Sequence, residues 1–127
     1  MIVVDASVAV LALLNAGVAR DLLQEQPVHV PHLIDSEVVS GLRSRVLGRR
    51  ITAENGLTAL RVWSKLGVIR YPLSGLLERV WELRENVSAY DAGYVALAEN
   101  LSCSLVTADS RLARASGILC AVTLVPN

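Results

Sequence analysis

Ile2-Val3-Val4-Asp5-Ala6-Ser7, running straight into Val8-Ala9-Val10-Leu11-Ala12-Leu13-Leu14, decides the fold. A β-branched triplet ends in a carboxylate, and a helical pattern takes over at once. Ser7 has the character of an N-cap and Asn15-Ala16-Gly17 that of a stop. The same grammar repeats along the chain. Val28-His29-Val30 closes at Pro31, Val68 to Tyr71 closes at Pro72, and two further short apolar runs lie at Cys103–Thr107 and Ala121–Val125. Between them lie helical stretches: 18–26, the run from Pro31 through Glu37 to Gly48, one capped by Thr52, one opened by Ser74, one opened by Ser88, and a short one at 110–115. Short apolar strands without polar alternation, separated by helices, predict a parallel sheet buried on both faces. With right-handed crossovers the expected architecture is a three-layer α/β/α sandwich with a central parallel β-sheet. It is expected to form a single domain over residues 1–127, with no internal repeat and no linker.

Composition narrows the function classes. Hydrophobic residues are 53% and charged residues 19% of the 127, which excludes a disordered chain. Twelve basic and twelve acidic residues give zero net charge, so any nucleic-acid contact must come from a local patch. The cleanest apolar run, Val8 to Leu14, falls well short of the roughly 20 residues a membrane span needs. Asp5 interrupts the first apolar stretch and no Lys or Arg precedes it, unlike a signal peptide. A cytoplasmic protein without membrane association is expected, with Cys103 and Cys120 as buried free thiols.

Ligands of such sheets collect beyond the carboxyl ends of the strands. Asp5 and Ser7 follow the first strand, Glu37 is expected about two turns into the helix after the second, and Thr107 and Asp109 follow the fourth. Asp91 lies in the first turn of the helix opened by Ser88; spacing alone leaves its position at that edge open. Each acid has an ordinary structural role available. Asp91 fits a capping box with Ser88, Asp109 fits an N-cap, and Glu37 suits the wet face of its helix. Asp5 is the hardest to dismiss, because a carboxylate ending a buried strand needs compensation. Two carboxylates about 4 Å apart repel by about 4 kcal/mol at an effective dielectric near 20, so four converging acids call for protonation or a divalent cation. Hard oxygen donors without a His or Cys cluster favour Mg²⁺ or Mn²⁺ over Zn²⁺, and such a site suits phosphoryl transfer. His29 and His32, flanking Pro31, read as structural or surface residues.

Competing chemistries lack their parts. There is no Gly-rich phosphate loop and no GxSxG elbow. A haloacid-dehalogenase-like phosphatase wants an acid where Ser7 stands, and a receiver domain wants a lysine after a late strand, whereas the only lysine, Lys65, falls in a helix.

Val3-Val4-Asp5-Ala6-Ser7-Val8, Pro31-His32-Leu33 leading to Glu37, Ser88 to Ala98, and Leu105-Val106-Thr107-Ala108-Asp109-Ser110-Arg111-Leu112 resemble the four acidic motifs of PIN domains. Length and motif order resemble the VapC toxins of type II toxin–antitoxin modules, over essentially the whole chain. The resemblance implies an endoribonuclease dependent on Mg²⁺, with Mn²⁺ as a substitute, that leaves a 5′-phosphate and a 3′-hydroxyl. It also implies a homodimer and a VapB-like antitoxin that blocks the site and covers an apolar groove. Matched residue by residue, it makes Asp5, Glu37, Asp91 and Asp109 the catalytic metal-binding acids and Ser7 and Thr107 the hydroxyls that orient them. It also implies that the Asp91 helix starts at the strand ends.

Arg43, Arg45, Arg49 and Arg50 cluster after the Glu37 helix and are expected to meet RNA backbone or acidic residues of an antitoxin; a solvated helix end is the alternative. Trp63 and Trp81 read as anchors on amphipathic helices, core before interface. Two other functions keep the same acids: a catalytically silent PIN-like module acting through protein contacts, and a structure-specific DNA nuclease. Four intact acids count against the first, and the lack of room for a long arch segment counts against the second.

Overall fold

In the computed structural model, which describes residues 1–127, five strands pair in parallel. They are β1 (Ile2–Val4), β2 (Val28–Pro31), β3 (Ile69–Tyr71), β4 (Ser104–Thr107) and β5 (Val122–Leu124), in the spatial order β3-β2-β1-β4-β5. The helices are α1 (Ala6–Leu14), α2 (Val18–Glu25), α3 (Ile34–Leu47), α4 (Ala53–Lys65), α5 (Leu77–Glu82), α6 (Ala89–Asn100) and α7 (Ser110–Ala113). No single helix is long and apolar enough to cross a membrane.

The strand order places the helices. The chain moves from β1 to β2 to β3 in one direction, then returns past β1 to β4 and β5. Right-handed crossovers therefore put α1 to α4 on one face and α5 to α7 on the other. The contacts agree: α1 packs against α2, α3 and α4, while α6 packs against α5 and across β1, β2 and β4. Burial on both faces explains the unbroken apolar strands, with Val3, Val4, Val30 and Leu105 completely shielded from solvent. Each such side chain contributes about 1.5–3 kcal/mol. At the α1–α3 crossing the backbones come close: a Cβ on Gly41 would stand 2.9 Å from Val10 Cγ2.

Reversal of strand order between β1 and β4 makes their carboxyl ends the switch point of the sheet. Ile2, Val3 and Val4 stand opposite Ser104, Leu105 and Val106, so Asp5 and Thr107 leave the sheet side by side. The Asp5 amide donates to the Val106 carbonyl at 3.2 Å. α6 runs antiparallel to the strands, its last turn feeding β4 through Cys103 N–H to Ala98 O at 3.0 Å. Its first turn, with Asp91, therefore returns to the carboxyl edge.

Several local expectations are corrected. Asp5, not Ser7, caps α1, accepting from the Val8 amide at 3.2 Å; Ser7 is the second residue of the helix and is free for other work. Pro31 completes β2 and His32-Leu33 form the turn, so α3 opens at Ile34 and Glu37 sits in its first turn, not its second. Ser74 starts a 3-10 turn to Leu76 before α5 begins. Trp81 is 68% exposed with the Arg84 guanidinium over its ring at 4.8 Å, whereas Trp63 is buried. The two thiols are free but only half-buried, just outside the paired strands.

Candidate active site

Four elements deliver one acid each to the carboxyl edge of the sheet: Asp5 after β1, Glu37 from α3, Asp91 from α6 and Asp109 after β4. Asp5 is almost fully buried. Its Oδ1 accepts from the Ser7 hydroxyl at 2.5 Å and from the Val8 amide, and its Oδ2 accepts from the Thr107 hydroxyl at 2.5 Å. Both hydroxyls are held in turn by the β4 turn. Ser7 Oγ accepts from the Ala108 amide and Thr107 Oγ1 from the Asp109 amide, each at 3.0 Å. These bonds lock Asp5 in one orientation and stitch the β1 and β4 ends together.

Glu37 accepts from the Tyr94 hydroxyl at 3.0 Å. Tyr94 is buried in α6, so the bond ties α3 to the helix that bears Asp91. Sequence reading missed this tyrosine, because its helical spacing marks it only as core. A second unread tie lies at the root of α3. Asp35 accepts from Arg70 Nε and Nη2 at 2.8 and 2.9 Å and from Trp63 Nε1 at 2.7 Å, which fixes the helix start against β3 and α4. Only the spacing of a lone acid two residues before Glu37 hinted at it.

Asp91 behaves differently from a capping-box partner. The Ser88 hydroxyl accepts from the Asp91 amide at 3.1 Å, but the carboxylate closes no box onto the Ser88 amide. Asp109 does cap: its Oδ1 accepts from the Arg111 amide at 2.9 Å at the start of α7.

The acids share one electrostatic environment. Burial raises the Asp5 carboxyl above its ordinary range; the Ser7 and Thr107 hydroxyls oppose the rise, and the charge of Asp109 adds to it. Burial raises Glu37, Tyr94 opposes this, and the charges of Asp91 and Asp5 reinforce it. Burial raises Asp91, reinforced by Asp5 and Asp109. Arg111, 3.8 Å from Asp109, opposes the rise at Asp91. No three of the acids close into a finished ligand cage among themselves. The donor set is nevertheless all hard oxygen, partly desolvated and short of positive charge. It fits a hard divalent cation that takes the rest of its shell from water.

The arginine cluster lies elsewhere. Arg43 and Arg45 are in the second half of α3, and Arg49, at φ 58°, and Arg50 follow its end. From Glu37 to the end of α3 is about 15 Å at 1.5 Å per residue, so the structure does not bring the cluster to the acids. Arg45 turns back onto the Gly41 carbonyl at 3.1 Å. Of the histidines, His29 is buried with its Nδ1 2.6 Å from the Tyr71 hydroxyl, and His32 is exposed beside Glu37 in a surface cleft.

Residues 2–118 match the PIN domain. The chain is 56% identical over 126 residues to VapC ribonuclease Mb0985 of Mycobacterium bovis, covering 99% of each. Among solved structures it resembles PAE2754 of Pyrobaculum aerophilum, with a TM-score of 0.68 and 26% identity, covering 95% of this chain and 81% of that one. It also resembles VapC20 of Mycobacterium tuberculosis, described as a sarcin-ricin loop cleaving toxin. There the TM-score is 0.62 at 21% identity, covering 94% and 97%. Sequence and sheet topology agree: this chain belongs to the PIN-domain family, among the VapC ribonucleases.

Proposed function

We propose that this protein is the endoribonuclease toxin of a VapBC-type toxin–antitoxin pair, hydrolysing RNA phosphodiester bonds with Mg²⁺, or Mn²⁺ in its place, at the carboxyl edge of the sheet. The reading rests most on one observation: the end of β1, the first turns of α3 and α6 and the turn after β4 each carry a carboxylate at the carboxyl edge of the sheet, with Asp5 pinned by Ser7 and Thr107 and Glu37 by Tyr94. Its whole-chain identity to a VapC ribonuclease supports the RNA substrate and an antitoxin partner.

In this reading Asp5, Glu37, Asp91 and Asp109 are the residues that would hold the cation. A divalent cation there would supply a more acidic water and neutralise charge on the scissile phosphate. The protein's own groups set the geometry. Ser7 and Thr107 fix both oxygens of Asp5; with the Val8 amide also on Oδ1, Oδ2 is the oxygen that keeps acceptor capacity for a cation. Tyr94 holds one Glu37 oxygen and leaves the other free. Their burial keeps the carboxylates weakly hydrated, which strengthens any interaction with a cation. Arg43, Arg45, Arg49 and Arg50 offer positive charge, away from the reacting phosphate, to RNA backbone or to acidic residues of the antitoxin. Residues 1–127 act as one domain, as a homodimer, in the cytoplasm.

The test is cleavage of RNA and of DNA, each with Mg²⁺ and with chelator. RNA-specific, chelator-sensitive cleavage that disappears in Asp5→Asn and Asp91→Asn is expected. Cleavage of DNA alone assigns a DNA nuclease, and a protein inert on both is a silent interaction module.

A further inference from the structure

Beside the acids lies a cleft of about 410 Å³ that shares only Glu37 with them. Pro31, Leu33 and Leu73 form its apolar walls, Ser36 and Tyr90 stand at its rim, and Glu37 belongs both to it and to the acid site. Gly93 deepens the floor: a Cβ there would stand 3.3 Å from Leu73 Cδ1. Tyr90 is 63% exposed, and its hydroxyl makes no hydrogen bond within the protein. It immediately precedes Asp91 in the chain, in the first turn of α6.

We infer that this cleft is a nucleobase subsite: it takes one unpaired base of the RNA next to the scissile phosphate, with the Tyr90 ring as its stacking surface. The inference rests on the acid-site reading above. Three observations select a base over other occupants. The lining holds no Lys or Arg; its one basic residue, His32, stands with Glu37, whose charge repels anions, so the cleft favours a base over a phosphate. Apolar walls and an exposed aromatic ring suit the π-face of a base, the mode by which proteins bind single-stranded RNA. Finally, the cleft is continuous with the acid site through Glu37, so a base held there is tied through its ribose to a phosphate near Asp5 and Asp91. The Ser36 hydroxyl at the rim can donate to or accept from a base edge, which gives the cleft a means of preferring some bases.

Two measurements on the full chain test this. In the first, a short single-stranded RNA carrying one 2-aminopurine is titrated with protein in chelator, and the fluorescence change on stacking is followed. In the second, a sequence-randomised single-stranded RNA pool is cleaved with Mg²⁺ and the cut positions are sequenced. Tyr90→Ala should weaken 2-aminopurine binding about tenfold, raise KM with kcat little changed, and flatten the base preference at one position beside the cut. Tyr90→Phe should keep all three near wild type, because the ring does the stacking. Because Tyr90 is exposed, both variants should fold. Wild-type binding, KM and preference in Tyr90→Ala overturn the inference. The same RNA values combined with easier release of a co-expressed antitoxin also overturn it and assign the cleft to a protein partner. Asp91→Asn in parallel separates the two readings: retained cleavage sinks the acid site, whereas lost cleavage beside an unaltered Tyr90→Ala sinks only the subsite.

Discussion

The Thr107 hydroxyl donates to Asp5 Oδ2 at 2.5 Å, joining residues 102 positions apart across the switch point of the sheet. That bond holds the most buried acid of the site in place, and its own donor is fixed by the Asp109 amide. A hydroxyl in this position tunes the acid as well as orienting it.

Thr107→Val keeps the shape and removes the bond. Burial already raises the Asp5 carboxyl, and Thr107 opposes that rise, so its loss pushes the carboxyl further up. The acidic limb of the pH dependence of kcat/KM should move to higher pH. Cleavage at neutral pH should fall about tenfold, the usual scale for a lost supporting partner. A pH series of cleavage rates for wild type and variant checks this.

Tyr94→Phe leaves Glu37 without its partner. Half-buried and next to Asp5 and Asp91, Glu37 should then adopt several rotamers. Stability should drop by about 1 kcal/mol and cleavage by about tenfold, read by denaturant unfolding and initial rates.

Acid sensitivity of the fold should lie outside the active site. Burial pushes Glu99 up, but Arg79 at 2.7 Å and the Leu119 amide outweigh it and hold the carboxyl below its ordinary value. A depressed folded-state pKa contributes stability above the unfolded value, and this is lost as pH falls through the folded value. Glu99→Gln should therefore be about 1 kcal/mol less stable than wild type at pH 7, with the gap closing below about pH 4. Unfolding curves at several pH values test the sign.

Asp91 contributes in the opposite direction. Its carboxyl is raised, so the folded chain binds its proton more tightly than the unfolded chain, and the ionised form costs stability as pH rises past the ordinary carboxylate range. Asp91→Asn should raise the Tm at neutral pH while abolishing cleavage, a stability gain at the expense of function. A lower Tm would contradict the repulsion inferred among the acids.

The sheet was legible because its strands are short, apolar on both faces and punctuated: Pro31 and Pro72 at strand ends, Thr52 and Ser88 at helix starts. Asp5 and Asp109 stood out as candidates because each follows a strand end; Asp91 stood out as a first-turn acid, but its place at the same edge came only through the family resemblance, since it depends on the direction of α6. Tyr94 and Asp35 stayed hidden because their partners, Glu37 and the Arg70–Trp63 pair, are set by packing between elements distant in sequence. Trp81 misled because α5 is short and its outer face is not covered by another element, so apolar character did not mean burial. The arginine cluster looked adjacent to Glu37 in sequence, but the length of α3 separates them.

Calorimetric titration of Mn²⁺ into chelator-treated protein tests the central claim most directly. Wild type should bind the ion with heat that is lost in both Asp5→Asn and Asp91→Asn, while the far-ultraviolet circular dichroism of all three stays the same. Equal Mn²⁺ binding by the folded variants would show that the carboxylates at the β1–β4 switch point do not form the metal site.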